Sequence, residues 1–251
     1  MIARAAAVLG AALGTLNHVR VLAFDIFGTT VDWWTGVAGQ VGRAAAERGV
    51  ELDGGAFATA WRARYVPSME LVRRGELPWQ NLDALHRRSL DELLEEHGVA
   101  AAFDEPARAE LVRSWHRLPA WPDAAPGLAR LRTRYTVVAT SNGGFALLTN
   151  LVKAAELPFD AVVSAELVRR YKPDPEVYQA VAGLLDAEPG DVLMVAAHTW
   201  DLAGARAAGL RTAFIERPRE KGPNGRPDRA ENADADLVTA SFTELADRLG
   251  C

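Results

Sequence analysis

The chain has 251 residues, of which 49% are hydrophobic and 24% charged, an ordinary globular composition that suits one large domain or one domain with an insert. The formal net charge of −5 offers no electrostatic footprint for nucleic acid. The one cysteine is Cys251, which excludes an intramolecular disulfide and fits a reducing compartment.

The start of the chain predicts neither a leader nor a membrane anchor. Residues 1–16 are rich in Ala and Gly and only faintly resemble the apolar region of a signal peptide. Cleavage there would leave the first predicted strand only a few residues away. We therefore interpret residues 1–18 as an N-terminal extension, or as the product of a start codon placed too early, in a cytoplasmic protein. The sequence has no run of about 20 uncharged apolar residues, so no membrane span is predicted.

The first predicted strand ends at an acidic residue. Residues 19–24 form a short apolar, β-branched run that is typical of a buried strand. Asp25 follows at once, and then a turn that contains Gly28 and Thr29. A carboxylate at the carboxyl end of a buried parallel strand lies where α/β sheets bind their ligands. The alternative is an aspartate that only begins a turn.

A wholly helical region comes next. Apolar residues at helical spacing predict helices over residues 37–48, 56–74, 79–97 and 106–117. Glycines follow the first three of these segments, and the breaker-rich residues 118–122 follow the last, as expected at helix ends. No strand is predicted between about residues 33 and 121.

Strands and helices alternate in the rest of the chain, with a polar loop over residues 217–234. Such alternation predicts an α/β fold with a doubly wound parallel sheet. Pro175 is expected in the first turn of a helix that Asp174 caps. The predicted organisation is a core formed by residues 19–32 and 122–251, with residues 33–121 inserted after the first strand as a helical cap domain. Such a cap can close over the strand ends and exclude water.

The predicted strands cover residues 19–24, 135–140, 161–164, 192–197, 211–215 and 236–238, and the predicted helices cover residues 127–133, 145–156, 175–186, 200–208 and 242–249.

Polar residues follow several successive strands. They are Asp25, Ser141 with Asn142, Lys172, and His198 with Asp201. In a parallel sheet these groups converge on one edge, which favours an active site over independent surface residues.

The motifs around these residues resemble the haloacid dehalogenase superfamily, and within it the type II enzymes that hydrolyse (S)-2-haloacids. The matching stretches lie between residues 19 and about 218, and the cap pair Trp61-Arg62 is one of them. The other matches are Asp25-x-Phe27-Gly28-Thr29, Ser141-Asn142-Gly143, Tyr171-Lys172-Pro173-x-Pro175-x-x-Tyr178 and Trp200-Asp201. The resemblance implies a Rossmann-like core, a small halogenated carboxylic acid as substrate, no cofactor and a homodimer.

Two positions separate a dehalogenase from the phosphatases of this superfamily. Phosphatases carry a second aspartate two residues after the nucleophile, which protonates the departing alkoxide, and here that position is Phe27. A halide leaves without a proton, so no general acid is needed. Phosphatases also bind magnesium through paired carboxylates, and residues 196–200 before Asp201 include no acidic partner.

The resemblance implies a role for each matching residue. Asp25 attacks C2 of the substrate and displaces halide with inversion, and water then cleaves the resulting ester. Lys172 keeps Asp25 ionised and pairs with Asp201, while Thr29 orients Asp25. The implied substrate contacts, including apolar walls, halide and carboxylate contacts and a supporting tyrosine, are Ile26, Phe27, Arg62, Trp79, Ser141, Asn142, Tyr178 and Trp200.

The chain departs from the family where Ser-x-Asn usually precedes the Trp-Asp pair. Ala196 and His198 stand at these positions, so one hydrogen-bonding partner of the nucleophile or of the hydrolytic water is missing. We favour His198 as the general base for ester hydrolysis, because its unperturbed pKa of about 6.5 suits the task. The alternative is a histidine that only hydrogen-bonds to Asp25 or to a cap residue.

Two rival functions remain open at this point. A metal-dependent phosphatase or phosphonate hydrolase would use the same fold, against which Phe27 and the missing acidic partner argue. A catalytically silent binding protein would also keep the fold, but the intact set of Asp25, Thr29, Ser141, Lys172 and Asp201 argues against it.

Overall fold

The computed structural model describes residues 16–251, so most of the predicted N-terminal extension, residues 1–15, lies outside the described residues. Six strands are present in this range, and all of them are parallel: β1 (Val21–Phe24), β2 (Thr136–Ser141), β3 (Ala161–Ser164), β4 (Val192–Ala196), β5 (Arg211–Ile215) and β6 (Leu237–Thr239). They form one sheet in the order β3-β2-β1-β4-β5-β6. The predicted α/β fold with a parallel sheet is confirmed.

Ten α-helices flank or follow these strands in the described range. They are α1 (Trp33–Glu47), α2 (Gly54–Ala63), α3 (Tyr65–Arg73), α4 (Leu82–Glu96), α5 (Glu105–Arg113), α6 (Ala124–Leu131), α7 (Phe145–Ala154), α8 (Pro175–Leu184), α9 (Thr199–Ala207) and α10 (Phe242–Leu249). None of the helices in the described part of the chain combines the length and the apolar character that a membrane span requires.

The sheet is covered on both faces, as its apolar strands require. Leu22 and Phe24 of β1 point into the larger core, which also contains side chains of α1 to α7 and of α10. Val21 and Ala23 point to the opposite face, where they join side chains of α8 and α9. β1 is therefore buried on both sides and lies between β2 and β4, with Val21 opposite both Thr136 and Val192. The position of Asp25, directly after β1, is fixed by this central strand.

The helical region between β1 and β2 contains one element that differs from the prediction. The single helix predicted over residues 56–74 is wrong, because α2 ends at Ala63 and α3 begins at Tyr65. Pro67 has no N–H to donate to the carbonyl of Ala63, so the helical hydrogen bonds are interrupted at this point.

Both ends of the helical segment (residues 33–121) leave the core at the same place. Asp32 N–H donates to Pro119 O at 2.8 Å, and Trp121 N–H donates to Thr30 O at 3.0 Å. Val31 and Ala120 form an antiparallel bridge between these two bonds. The segment is thus closed at its base by a short two-stranded contact, which we call the stitch (residues 30–32 and 119–121).

Asp174 precedes α8 as predicted, but its side chain does not cap that helix. Its Oδ1 instead accepts hydrogen bonds from Arg73 Nε at 3.0 Å and Arg73 Nη2 at 2.8 Å. The guanidinium outcompetes the helix N–H groups because a charge-assisted contact is the stronger one. This ion pair connects α3 to the loop that carries Lys172.

Candidate active site

The carboxyl ends of three adjacent strands bring the candidate polar residues together. Asp25 follows β1, Asn142 follows β2, and His198 follows β4. After Asp25 the chain folds into a tight turn, in which Ile26 O accepts from Thr30 N–H at 2.9 Å and from Val31 N–H at 3.1 Å. Parallel strands place ligands at this edge of a sheet.

The carboxylate of Asp25 is surrounded by groups that favour its charge. Its Oδ1 accepts from Lys172 Nζ at 3.2 Å, and its Oδ2 accepts from Thr29 Oγ1 at 2.7 Å. His198 Nδ1 lies 3.2 Å from the same Oδ2. Burial opposes ionisation, but Lys172, His198 and Thr29 outweigh it and hold the pKa of Asp25 far below its usual range. Asp25 is therefore a carboxylate at neutral pH.

Thr29 has a fixed direction in this arrangement. Its Oγ1 accepts from Ala197 N–H at 2.9 Å while it donates to Asp25. The neighbouring Thr30 Oγ1 donates to the carbonyl of Asp25 at 2.6 Å. Two hydroxyls thus orient the backbone and the side chain of the same aspartate.

Lys172 bridges two buried carboxylates. Its Nζ lies 2.7 Å from Asp201 Oδ2 and 3.2 Å from Asp25 Oδ1, and only 3% of the residue is exposed. Burial alone would lower the pKa of Lys172, but the two carboxylates outweigh that effect and raise it. Its backbone N–H donates to Asn142 Oδ1 at 2.7 Å, which holds the loop against the end of β2. The ammonium therefore stays charged and fixed beside Asp25.

Asp201 holds this ammonium in place from behind. Its Oδ1 accepts from Tyr178 OH at 2.7 Å, and the same hydroxyl lies 3.2 Å from the carbonyl of Asp201. Tyr178 does not donate to Asp25 or to Lys172, whose Nζ lies 6.0 Å from the centre of its ring. The sequence-based role of Tyr178 as a support of the network thus corresponds to a contact with Asp201.

His198 lies between two carboxylates rather than one. Its Nε2 is 3.0 Å from Glu220 Oε1, and its Nδ1 faces Asp25 Oδ2. Burial disfavours the charged ring, but Glu220 and Asp25 outweigh it and raise the pKa of His198 to about 10. At neutral pH the ring of the free enzyme is an imidazolium, which cannot accept a proton. The base hypothesis for His198 therefore does not describe the substrate-free state.

Glu220 was not identified from the sequence. It lies in the polar loop between β5 and β6, and 1% of it is exposed. Besides His198, its Oε1 accepts from Trp33 Nε1 at 3.1 Å. Burial would raise the pKa of Glu220, but His198 and Arg62 help to lower it. No local signal marks this residue, because both partners are distant in the sequence.

Residues from the helical segment close the site from the other side. A cavity of about 340 Å³ is lined by Arg62, Trp33 and Tyr65 of this segment and by His198 and Trp200 of the core. The guanidinium carbon of Arg62 lies 3.9 Å from the centre of the Tyr65 ring and 5.5 Å from that of Trp33. Aromatic faces hold the cation without neutralising it, and Arg62 Nη1 is buried without a hydrogen-bond partner among the described residues.

The remaining predicted substrate contacts are distributed unevenly. Phe27 is buried beside Arg62, whose guanidinium carbon is 6.0 Å from its ring centre, and Ile26 is fully buried. Ser141 Oγ accepts from Gly143 N–H at 3.2 Å. Trp79 packs on Tyr171 at 4.8 Å and lines a separate groove with Arg73 and Asp174. Its place in the substrate pocket stays a prediction.

The chemistry of this site is that of a buried nucleophile among fixed charges. Among residues 16–251, no group of three or more histidine, cysteine, aspartate or glutamate residues has the geometry to hold a metal ion. The cation beside Asp25 is an ammonium, and the cavity offers a guanidinium to a small anion. An anionic substrate with one charge fits these two cations.

Comparisons with known proteins agree with this chemistry. A family model for haloacid dehalogenase-like hydrolases matches residues 19–209. The (S)-2-haloacid dehalogenase 1 of Pseudomonas sp. strain CBS-3 is 32% identical over 211 residues, which cover 80% of this chain and 86% of that protein.

Two solved structures extend the comparison to the fold. A defluorinating L-2-haloacid dehalogenase is 43% identical, with a TM-score of 0.90 and coverage of 93% of this chain and 96% of that chain. The L-2-haloacid dehalogenase of Xanthobacter autotrophicus, solved with chloropropionic acid covalently bound, is 26% identical. Its TM-score is 0.77, and the match covers 91% of this chain and 97% of that chain.

Proposed function

The chain belongs to the haloacid dehalogenase-like hydrolase family, and from this premise we propose that it is a hydrolase of carbon–halogen bonds. Its substrates are (S)-2-haloacids or haloacetates, and its products are 2-hydroxy acids and halide. The observation that carries the proposal is the carboxylate of Asp25, which is kept ionised by the buried ammonium of Lys172 at 3.2 Å. The second residue after it is Phe27, which donates no proton.

The first step forms a bond between a carboxylate oxygen of Asp25 and C2 of the substrate. The carbon–halogen bond breaks with inversion, and its electron pair leaves with the halide. Asp25 is 7% exposed, so little solvent shields the nucleophile. The structure of the Xanthobacter relative, which holds chloropropionic acid covalently, supports an intermediate of this kind.

One cation and a set of neutral donors would receive the two negative charges of the reacting substrate, on the halide and on the carboxylate. Arg62 in the cavity would bind halide together with Asn142, whose side chain lies at the end of β2. Ser141 and the backbone N–H groups after Asp25 would hold the substrate carboxylate. Trp200, which is 40% exposed, and Phe27 would form apolar walls of the pocket. The helical segment acts as a cap in this scheme, because Arg62 and Trp33 reach the cavity from it.

In the second step water attacks Cγ of Asp25 and releases the hydroxy acid. The oxygen that C2 keeps comes from Asp25, and the oxygen of water enters the carboxylate. Lys172 and Thr29 hold the carboxyl group in place throughout, since both contact it in the free enzyme. No metal takes part in either step, because the ammonium of Lys172 already bridges Asp25 and Asp201.

An assay for released halide tests the reaction class. Chloro-, bromo- and fluoroacetate and (S)-2-chloropropionate are supplied with a chelator, and we expect halide release by the parent but none by Asp25→Asn. A single turnover in heavy-oxygen water should place the label in the peptide that contains Asp25. Label that enters the hydroxy acid directly would refute the ester mechanism. Phosphate release that depends on magnesium would favour a phosphatase instead.

The proposal includes a homodimer, as the family resemblance implies, and a place in the cytoplasm, as the sequence predicts. Sedimentation velocity of the purified chain measures the assembly, and a single species with the mass of one 27.1 kDa chain would refute the dimer.

A further inference from the structure

Glu220 is a buried carboxylate with no part in the mechanism described so far. It lies in the loop between β5 and β6, far along the chain from both of its partners, Trp33 and His198. Trp33 is the first residue of α1, and His198 follows β4. The loop between β5 and β6 thus places the negative charge of Glu220 beside Nε2 of His198.

The space around Glu220 is closely fitted to it. Gly28 has a φ of +88°, and a Cβ added at Gly28 would lie only 2.5 Å from Glu220 Oε1. Arg217, three residues before Glu220, donates through Nε to the carbonyl of Thr29 at 2.8 Å. The loop is therefore tied to the turn that follows Asp25. A shift of the Glu220 side chain toward Gly28 would therefore press on the turn that follows Asp25.

The two nitrogens of His198 have different surroundings. Nε2 contacts Glu220 at 3.0 Å, while Nδ1 lies 3.2 Å from Asp25 Oδ2 without a hydrogen bond of good geometry. A general base that is oriented through one ring nitrogen and reacts through the other has this arrangement. With Nε2–H held by Glu220, the neutral ring presents its lone pair at Nδ1 toward the carboxyl group of Asp25.

We propose that Glu220 is a positioning residue that directs Nδ1 of His198 at the Asp25 ester and couples the charge of the ring to the esterification of Asp25. The inference rests on the proposed function and concerns only its second step. His198 is the group that accepts the proton, and Glu220 acts through it.

The coupling follows from the charges that face the ring. In the free enzyme the imidazolium lies between the carboxylates of Asp25 and Glu220, which together raise its pKa. Esterification makes Asp25 neutral and leaves Glu220 as the one carboxylate in contact with the ring. The cations Lys172 and Arg62 also face the site, and both disfavour a second positive charge. The pKa of His198 therefore falls when the ester forms, and the ring releases its proton to solvent.

The other charged groups nearby do not compensate for the loss of the negative charge of Asp25. The carboxylate of Asp201 is neutralised by Lys172 at 2.7 Å. Lys221 follows Glu220, lines the same cavity and adds positive charge. Once the halide has left, the one anion that the substrate still adds is its carboxylate, which Ser141 and the backbone N–H groups after Asp25 hold in the proposed mechanism. The ring of His198 is thus neutral in the ester intermediate, where it must accept a proton, and charged in the free enzyme.

The proton transfers of the second step regenerate the free enzyme. Neutral His198 takes one proton of the attacking water as its oxygen bonds to Cγ of Asp25. The bond between Cγ and the substrate oxygen then breaks, and that oxygen takes the proton back from the ring. Asp25 is left as a carboxylic acid and passes its proton to His198, which restores the ion pair. Each turnover releases one proton to solvent, as the conversion of a haloacid to a hydroxy acid and halide requires.

Rapid-quench kinetics of Glu220→Gln separates the two steps. We expect the first-turnover burst of halide to keep its rate within about threefold, whereas ester hydrolysis slows roughly tenfold to a hundredfold, a loss typical of a disturbed general base. The acid limb of the hydrolysis pH profile should move to lower pH by about one unit or more, because a carboxylate that favours the imidazolium is gone. Glu220→Asp should return the limb toward its parental position. The burst amplitude counts folded active sites, so partial unfolding does not mask the result.

A matched control and a double variant complete the test. Glu216→Gln removes a carboxylate from the same loop, where it pairs with exposed Arg229, and should leave both steps unchanged. In a His198→Asn background, Glu220→Gln should cause no further loss of hydrolysis, since its effect passes through the ring. Equal slowing of both steps without a shifted pH limb would overturn the proposal, as would additive losses in the double variant. A parent enzyme that releases no halide would overturn the proposed function itself.

Discussion

Lys172→Met replaces the buried ammonium with an apolar side chain of similar length. The ammonium lies within hydrogen-bond distance of both Asp25 and Asp201, and these three residues are at most 7% exposed. Removing one partner of a buried ion pair costs ~3–5 kcal/mol, because a charge is left without compensation. We expect the free energy of unfolding to fall by about this amount, measured by urea denaturation at pH 7.

The same substitution should also remove activity. Without Lys172, the carboxylates of Asp25 and Asp201 repel each other, and one of them retains a proton into the neutral range. We expect the first-turnover halide burst to slow by ~100-fold or more, as is typical when a fixed charge opposite the reacting group is lost. The burst should also gain a dependence on pH, rising as the shared proton is lost, whereas the parental burst should be flat across the neutral range because the pKa of Asp25 lies well below it.

Two further variants make the reasoning refutable. Lys172→Met combined with Asp201→Asn removes the repulsion, so stability should return in large part while activity stays lost. Lys153→Met, on the exposed surface of α7, should change the free energy of unfolding by less than about 0.5 kcal/mol. Parental stability together with a parental halide burst in Lys172→Met would refute the assignment of this ammonium.

Three other predictions follow from single contacts. Tyr178→Phe loses the hydroxyl that donates to Asp201 at 2.7 Å, and the free energy of unfolding should fall by ~1.5–3 kcal/mol in urea denaturation; an unchanged midpoint would contradict this. His198 has a folded pKa of about 10, above its unfolded value, so its contribution is complete below about pH 6.5 and is lost as the pH rises toward 10. The loss amounts to as much as ~5 kcal/mol, and a pH series should show His198→Asn with a flatter slope than the parent; equal slopes would argue against the raised pKa. Gly28→Ala places a Cβ at a φ of +88° and 2.5 Å from Glu220, so we expect a loss of ~1–2 kcal/mol in the same denaturation assay together with slower ester hydrolysis, and a fully stable variant would count against the close fit.

Much of the fold could be predicted because its signals are local. The apolar run before Asp25 and the alternation of strands and helices after residue 122 each depend on neighbouring residues. The break between α2 and α3 was missed, although Pro67 marks it, because apolar spacing continues through the break. Periodicity reports which face is buried, and it does not report whether one helix or two present that face.

The same distinction between local and distant signals applies to the residues of the site. Asp25 follows β1 directly, and Lys172 and Asp201 lie in the segments that follow β3 and β4, so their convergence could be predicted from the parallel order. Glu220 could not be predicted, because a polar loop with prolines and glycines gives no sign of which acidic residue turns inward. The charge of His198 could not be predicted either, since it depends on the carboxylate of Glu220 in that loop. Motifs identify the groups that react, whereas the charges that tune them come from contacts between distant segments.

The stitch is a junction at which the helical segment could be exchanged for another segment. Its backbone bonds, from Asp32 to Pro119 and from Trp121 to Thr30, depend on no side chain of α1 to α5. A different helical segment joined at residues 30–32 and 119–121 could therefore keep these two backbone bonds and leave the register of β1 unchanged. The helical segment, which we propose as the cap of the site, could thus change while the polar residues at the strand ends keep their positions.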